Sequence, residues 1–356
     1  MQSGRKITSF SLEITTRCNN DCRHCYINLP VNNKKAQDSE LSASQIYKII
    51  DEAVSLGAIW CLITGGEPLL REDFNEIYIY AKKKGLLVSV FTNATLLTED
   101  HIELFKQYPP RDIEVTVYGL SQGIYEAVTR TPGSFKAFKR GLDLLFANGI
   151  KVRFKAMALR SNFRELAEIS LFCSERTKDF FRFDPFLHLR YDGNSQRNDE
   201  IKSERLSSSE IVAVERNNSE RSRTLQENCG KFINPKLSSK VCSHLFNCGT
   251  GTRSFAVSHD GFFRLCSSLW HPDCLYDLKR GSVAEARRRL VPAVRKMCYG
   301  KAEFLKKCHT CPIFNLCFWC PAHSHLETGS LDTPVDYFCN VAHARKEALL
   351  AGLGPQ

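Results

Sequence analysis

The stretch ITSFSLEITTRCNNDCRHCY, residues 7–26, opens on a β-rich run and ends in three cysteines, Cys18, Cys22 and Cys25. Three residues separate the first two thiols and two separate the last two. A closed structural zinc site takes four ligands and a disulfide takes two, so three thiols in one short loop need another explanation. At i, i+4 and i+7 they would share a helix face, but Asn19, Asn20, Asp21 and Arg23 between them favour a loop. Two readings stay open on this segment. One is zinc, with His24 as the fourth ligand. The other is a [4Fe–4S] cluster with three protein ligands, which leaves one iron open to a small molecule.

Outward from this loop the chain alternates. Between residues 7 and about 185, the β-rich runs ITSFSLEI, AIWCLIT, LLVSVFT, DIEVTVY, IKVRFKAMAL and DFFRFDPF are separated by amphipathic, helix-like stretches. Gly57, Gly85 and Gly149 read as helix stops, and Ser134 and Asn162 as N-caps. Six strands alternating with helices imply parallel βα units with right-handed crossovers. Six units are too few for a closed eight-fold barrel, so the expected fold is α/β, a partial (β/α)6 TIM-like barrel. In such barrels the chemistry sits on loops after the strands. CNNDCRHC follows the first strand, GGEP the second, TNA the third and YGLS the fourth, which puts four candidate loops at one mouth.

The second of these loops is specific. CLITGGEPLLR (residues 61–71) is a buried β run ending in Gly65, Gly66, Glu67 and Pro68. The two glycines are expected to let backbone approach a ligand. Glu67 offers a carboxylate to an ammonium group, and Pro68 stiffens the turn.

With both motifs in place, residues 7–190 resemble the radical S-adenosylmethionine (SAM) superfamily. The resemblance implies that Cys18, Cys22 and Cys25 hold a [4Fe–4S] cluster whose fourth iron is chelated by SAM, and that Gly65, Gly66, Glu67 and Pro68 form the methionine site. It implies reductive cleavage of SAM to methionine and a 5′-deoxyadenosyl radical that abstracts hydrogen from substrate. It places Tyr26 near adenine and brings Asn93, Tyr118, Gly119, Ser121 and Arg130 toward the cofactor. Lys155 and Arg153 would meet the methionine carboxylate, and Asp184 would face substrate. The family's usual Thr-Asn-Gly after the third strand reads Thr92-Asn93-Ala94 here.

Sixteen cysteines are unevenly spread: three in residues 18–25, then Cys61 and Cys173, and eleven from Cys229 to Cys339. The C-terminal set is similar to the SPASM extension of the same superfamily, which carries two auxiliary [4Fe–4S] clusters. By that resemblance Cys242, Cys248, Cys266 and Cys320 hold one, and Cys308, Cys311, Cys317 and Cys339 the other. Two residues, rather than the extension's three, separate Cys317 from Cys320. Zinc ribbons also use paired Cys-x2-Cys motifs, but with wider separation than CHTCPIFNLC shows. Cys61 and Cys173 sit in apolar patterns as core thiols. Cys274 and Asp277 are the residues expected nearest substrate in a catalytic role.

The implied organisation is a radical SAM barrel at 1–190, a polar linker with one helix near 207–216 at 191–238, and an auxiliary-cluster domain with a closing helix at 239–356. The formal charge is +10. No Lys/Arg block or aromatic-interleaved basic run accompanies it, so nucleic acid is not expected. No apolar run of membrane length and no secretory h-region occur, so a cytoplasmic protein, with no membrane partner and with thiols free for metal, is expected.

The resemblance implies an oxidoreductase or peptide maturase acting on a ribosomally made peptide or protein. It also implies a low-potential electron donor such as flavodoxin or ferredoxin. With the barrel starting near residue 7, leader recognition is expected from a separate leader-peptide-binding protein or from the 190–238 region. Oxidation or decarboxylation of a small molecule such as a tetrapyrrole side chain is the alternative within enzymes. A non-catalytic iron–sulfur carrier or zinc scaffold is the alternative outside them, though neither has a use for the GGEP turn.

Overall fold

A computed structural model describes residues 6–177, 181–227, 244–308 and 311–352. Six strands alternate with helices through the first half, as the sequence pattern requires. They are β1 (Ser9–Glu13), β2 (Trp60–Thr64), β3 (Leu87–Thr92), β4 (Asp112–Thr116), β5 (Val152–Met157) and β6 (Arg182–Asp184). They pair in chain order, and every pair is parallel. Parallel neighbours need crossovers. Helices Ala43–Ser55, Phe74–Lys83, Glu99–Gln107, Ser134–Ala147 and Leu166–Arg176 provide them. The first buries Ile46, Ile49, Ile50 and Ala53, a single helical stripe.

The strands alternate as period-two geometry dictates. Val88, Val90, Ile113, Val115, Val152, Phe154 and Ala156 join the apolar core. Their neighbours Ser89, Phe91, Asp112, Thr116, Arg153, Lys155 and Met157 line cavities inside the partial barrel. Gly57, Gly85 and Gly149 do follow helices in left-handed backbone.

The two expected N-caps differ. Gly133 is the cap of Ser134–Ala147, and Ser134 is its first helical residue, hydrogen-bonded through its hydroxyl to Thr129. Asn162 makes no cap bond. Its side chain accepts from Leu159 N and donates to the carbonyls of Tyr118 and Met157, tying the fourth and fifth strand-end loops together.

The C-terminal region extends the same sheet. β7 (Ser254–Val257) pairs with β1 in parallel, and β8 (Phe262–Arg264) and β9 (Tyr276–Asp277) follow antiparallel. The nine strands run in the order β9-β8-β7-β1-β2-β3-β4-β5-β6. A buried ion pair reinforces this seam: the Arg264 guanidinium binds the Glu13 carboxylate and lies over the Trp270 ring at 3.7 Å.

The segment after β6 carries three helices rather than one, Ser195–Glu204, Ser208–Asn217 and Ser219–Glu227. Its polar composition suggests a linker, but some of its charged side chains pair with the rest of the chain in little-exposed contacts. Arg345 of the closing helix Asp336–Gly352 binds Glu215, both nearly inaccessible, and Arg205 binds Glu327. Among the described residues, no helix is long and apolar enough to cross a membrane.

Candidate active site

The loops after the strands converge on a cavity of about 520 Å³. Cys18, Cys22 and Cys25 all line it. None is in a disulfide. Burial is the main cause that pushes all three thiols above their ordinary pKa, and the nearness of other thiols adds to this for Cys18 and Cys22. Three thiols on one loop with raised pKa values would need a cationic centre to be held together as thiolates.

The loop carrying them is held from every side. Asp21 N donates to Thr129 O at 2.9 Å and Arg23 N to Val128 O at 3.2 Å. Arg190 Nη1 reaches the carbonyls of Cys25 and Asn28 at 3.4 and 3.1 Å, and Arg197 Nη2 reaches the Cys22 carbonyl at 3.1 Å. Arg130 donates to Asp21 O at 2.8 Å and pairs with Asp21 and Glu200. Arg130 therefore braces the loop from behind, outside the cavity lining.

The GGEP turn docks on the same loop through backbone. Gly66 N donates to Thr15 O at 2.7 Å and Glu67 N to Arg17 O at 2.9 Å. A Cβ on Gly65 would lie 2.3 Å from Thr15 O, and one on Gly66 would lie 2.3 Å from Arg17 O. The glycines are thus required by backbone meeting backbone, while their other side lines the cavity.

Glu67 departs from its expected place. It is fully buried and lies outside the cavity lining. Its carboxylate accepts from Leu69 N, Thr92 Oγ1 and Asn93 N at 3.1, 2.7 and 2.7 Å. Burial raises its pKa to about 7 against those three bonds. It ties the second strand-end loop to the third. Pro68 opens a short 3₁₀ turn capped by Glu67, and is buried.

Asn93 lines the cavity, with Nδ2 3.0 Å from Asn19 Oδ1 and 3.8 Å from Cys18 Sγ. Ala94, where the family has glycine, adopts left-handed backbone at φ 64°. Tyr26, Tyr118, Lys155 and Asp184 also line the cavity. Lys155 Nζ lies 3.2 Å from Glu114 and over the Phe91 ring.

Other expected residues fall elsewhere. Ser121 caps helix Gln122–Thr129 and donates to Glu165, and Gly119 packs against Ile124 and Tyr125. Arg153 faces a second cavity at the opposite end of the barrel, 3.8 Å from Asp112, because it is two residues before Lys155 on β5. Cys274 is buried against Met297 outside the cavity lining, its pKa pushed up to about 12 by burial. Asp277 caps a turn at Lys279 N on β9. Neither Cys274 nor Asp277 reaches the site.

Several lining residues were not anticipated: Glu13, Asn20, His188, Arg221, Phe318 and His323, with His24 present as more than a zinc alternative. Glu13 Oε1, both amide atoms of Asn20, and Nδ1 of His24, His188 and His323 are buried without hydrogen-bond partners. Unsatisfied buried polar atoms are uncommon in folded proteins, and several around one cavity mark a ligand site. His24 packs against Tyr118 at 5.2 Å, and burial followed by Lys155 lowers its pKa to about 3. Among the described residues no three His, Cys, Asp or Glu side chains converge on a single ion. A cluster makes no such demand, since its thiolates bind separate irons.

The C-terminal cysteines raise one another's pKa values in two separate sets. Burial pushes Cys320 up to about 12, and Cys266 and Cys248 add to the rise. Cys308 is raised to about 12 by burial, then by Cys317, Cys311 and Cys339. Cys242 lies outside the described residues.

Residues 12–173 match the radical SAM superfamily. This chain carries a radical SAM domain. Such a domain binds SAM and a [4Fe–4S] cluster, and the site fits both: three free thiols on one loop, beside a cavity rimmed by unsatisfied polar atoms. An AdoMet-dependent heme synthase of Nitratidesulfovibrio vulgaris is 27% identical over 161 residues, 45% of this chain and 43% of that one. The antilisterial bacteriocin subtilosin biosynthesis protein AlbA of Bacillus subtilis is 30% identical over 161 residues, 45% of this chain and 35% of that one. The match thus spans less than half the length of these relatives. The fold is similar to that of Streptococcus suis SuiB bound to precursor peptide SuiA. The TM-score is 0.70 at 14% identity, covering 94% of this chain and 76% of that one.

Proposed function

We propose that this radical SAM enzyme modifies side chains of a ribosomally made peptide or protein by hydrogen abstraction. The observation that carries this reading is the shape of the cavity. It runs from the cysteine loop at the strand ends to Phe318 and His323 of the cysteine-rich region, so both parts of the chain build one site. Cys18, Cys22 and Cys25 would hold the cluster, which supplies the electron that cleaves SAM to a 5′-deoxyadenosyl radical. Gly65, Gly66, Tyr26, His24, Asn93 and Lys155 would bind SAM, with Glu67 and Pro68 fixing the loop that presents them. Asn20, whose backbone N donates to Cys18 Sγ and whose side-chain amide has no partner, joins that set.

The grouping of Cys248, Cys266 and Cys320, and separately of Cys308, Cys311, Cys317 and Cys339, supports two auxiliary [4Fe–4S] clusters, with Cys242 completing the first. A flavodoxin or ferredoxin would supply electrons, and a separate leader-peptide-binding protein would present the substrate. AlbA is named for bacteriocin biosynthesis and SuiB is solved with a precursor peptide, which favours a peptide. The heme synthase relative keeps a tetrapyrrole as the second reading.

Metal analysis of anaerobically purified protein should give about twelve iron and twelve sulfide per chain. Stoichiometric zinc with little iron would refute the proposal. With dithionite and SAM the enzyme should release 5′-deoxyadenosine. Cys18→Ala should abolish that release and retain about eight iron.

A further inference from the structure

The far end of the cavity carries chemistry that cofactor binding does not use. The rings of His188 and His323 stack with centroids 3.8 Å apart and planes 25° apart. Both line the cavity, and Nδ1 of each is buried without a hydrogen-bond partner. Leaving such a nitrogen unsatisfied is costly, so two on one wall point to a ligand that completes them. Burial holds the His188 ring neutral, lowering its pKa to about 3. A neutral imidazole presents one N–H and one acceptor nitrogen, so the pair suits a hydroxyl or an amide.

The two guanidiniums along the same cavity already have acidic partners. Arg182 lies 3.6 Å from Asp184 and 3.7 Å from Glu114, and Arg221 lies 2.7 Å from Glu215. Glu114 and Glu215 are buried, so a polycarboxylate would have to break buried pairs to bind here. Beside the imidazoles, the Phe186 and Phe318 rings stand 4.9 Å apart and offer an apolar wall. The first turn of helix Pro321–Thr328 fixes His323, whose backbone N donates to Cys320 Sγ at 3.4 Å.

We propose that His188 and His323 anchor a neutral hydrogen-bonding side chain of the substrate peptide, such as tyrosine or threonine, against the Phe186–Phe318 wall. This rests on the peptide reading above and assigns the class of residue modified or gripped.

The test uses the cluster-loaded full chain with SAM, and equilibrium dialysis of N-acetyl-tyrosinamide, N-acetyl-threoninamide, N-acetyl-glutamate and coproporphyrin III. Both neutral amides should bind, and N-acetyl-glutamate at least about tenfold more weakly. His188→Ala and His323→Ala should each weaken the neutral amides about tenfold, equivalent to about 1.4 kcal/mol. His188→Gln, which keeps a donor and an acceptor, should restore most of the affinity, and this rescue separates lost contact from lost fold. Amide affinities unchanged in the alanine variants, or no amide binding to the wild type, overturn the anchoring pair and leave the peptide reading standing. Coproporphyrin III binding tighter than either amide overturns the peptide reading itself.

Discussion

Gly66→Ala separates two explanations of the GGEP turn. If the glycine serves ligand approach, an alanine lowers SAM affinity and leaves the fold alone. If it serves docking of the cysteine loop, as the geometry indicates, the fold itself suffers. A Cβ there would meet Arg17 O at 2.3 Å and Thr16 O at 2.7 Å, where ordinary contacts begin at 3.4 Å. The obstructing atoms are backbone, so no side chain can rotate away, and the two segments must part by about 1 Å. Overpacking of this kind costs about 1–3 kcal/mol. Parting also strains Gly66 N to Thr15 O and Glu67 N to Arg17 O, worth about 1 kcal/mol each. The expected loss is about 2–5 kcal/mol in urea unfolding. Because Arg17 directly precedes Cys18, about four iron should be lost selectively from the purified protein. Wild-type stability and iron content, with only SAM affinity reduced, would refute the docking argument.

Other consequences are equally open to measurement. Arg190→Ala removes a buried guanidinium from the carbonyls of Cys25 and Asn28, so iron in the cysteine loop should exchange to a chelator several-fold faster while the C-terminal iron does not. Glu215→Ala strands the buried Arg345, which should cost about 3–5 kcal/mol in denaturant unfolding. His188 is held neutral in the fold, its pKa lowered from 6.5 to about 3 by burial, so the unfolded chain binds its proton first as pH falls. His188 should therefore contribute up to about 1.4 kcal/mol per pH unit to the decline in stability below about pH 6.5, and His188→Gln should make the slope shallower by that amount. Gly141→Ala would set a Cβ 2.0 Å from the Ala94 carbonyl, and should lower the unfolding midpoint where an alanine in an open helix would raise it.

The barrel was legible because its signals are local. Strand alternation, helix stripes and glycine stops each depend on neighbours within a few residues, and the cysteine and GGEP loops follow their strands directly. Pairing of Ser254–Val257 with Ser9–Glu13 was not legible, since contacts across about 245 residues leave no local periodicity. The polar stretch after residue 190 misled for a related reason. Composition counts charges without showing that Glu215 and Arg190 are buried, and Arg205 half-buried, opposite partners supplied by distant segments.

The site divides along the same line. The sequence by itself determined which residues gather at the strand ends, because motif spacing fixes which loop each belongs to. It did not determine where their side chains point. Glu67 belongs to a recognisable turn, yet its carboxylate faces inward to three donors, a fact set by how two loops pack. Arg153 and Lys155 share a strand face, and only the depth of the barrel separates the one in the far cavity from the one in the site. His188 and His323 lie 135 positions apart and become a stacked pair only when the cysteine-rich region closes over the barrel. Spacing along a chain encodes local geometry, whereas direction, depth and long-range contact arise only when the elements pack.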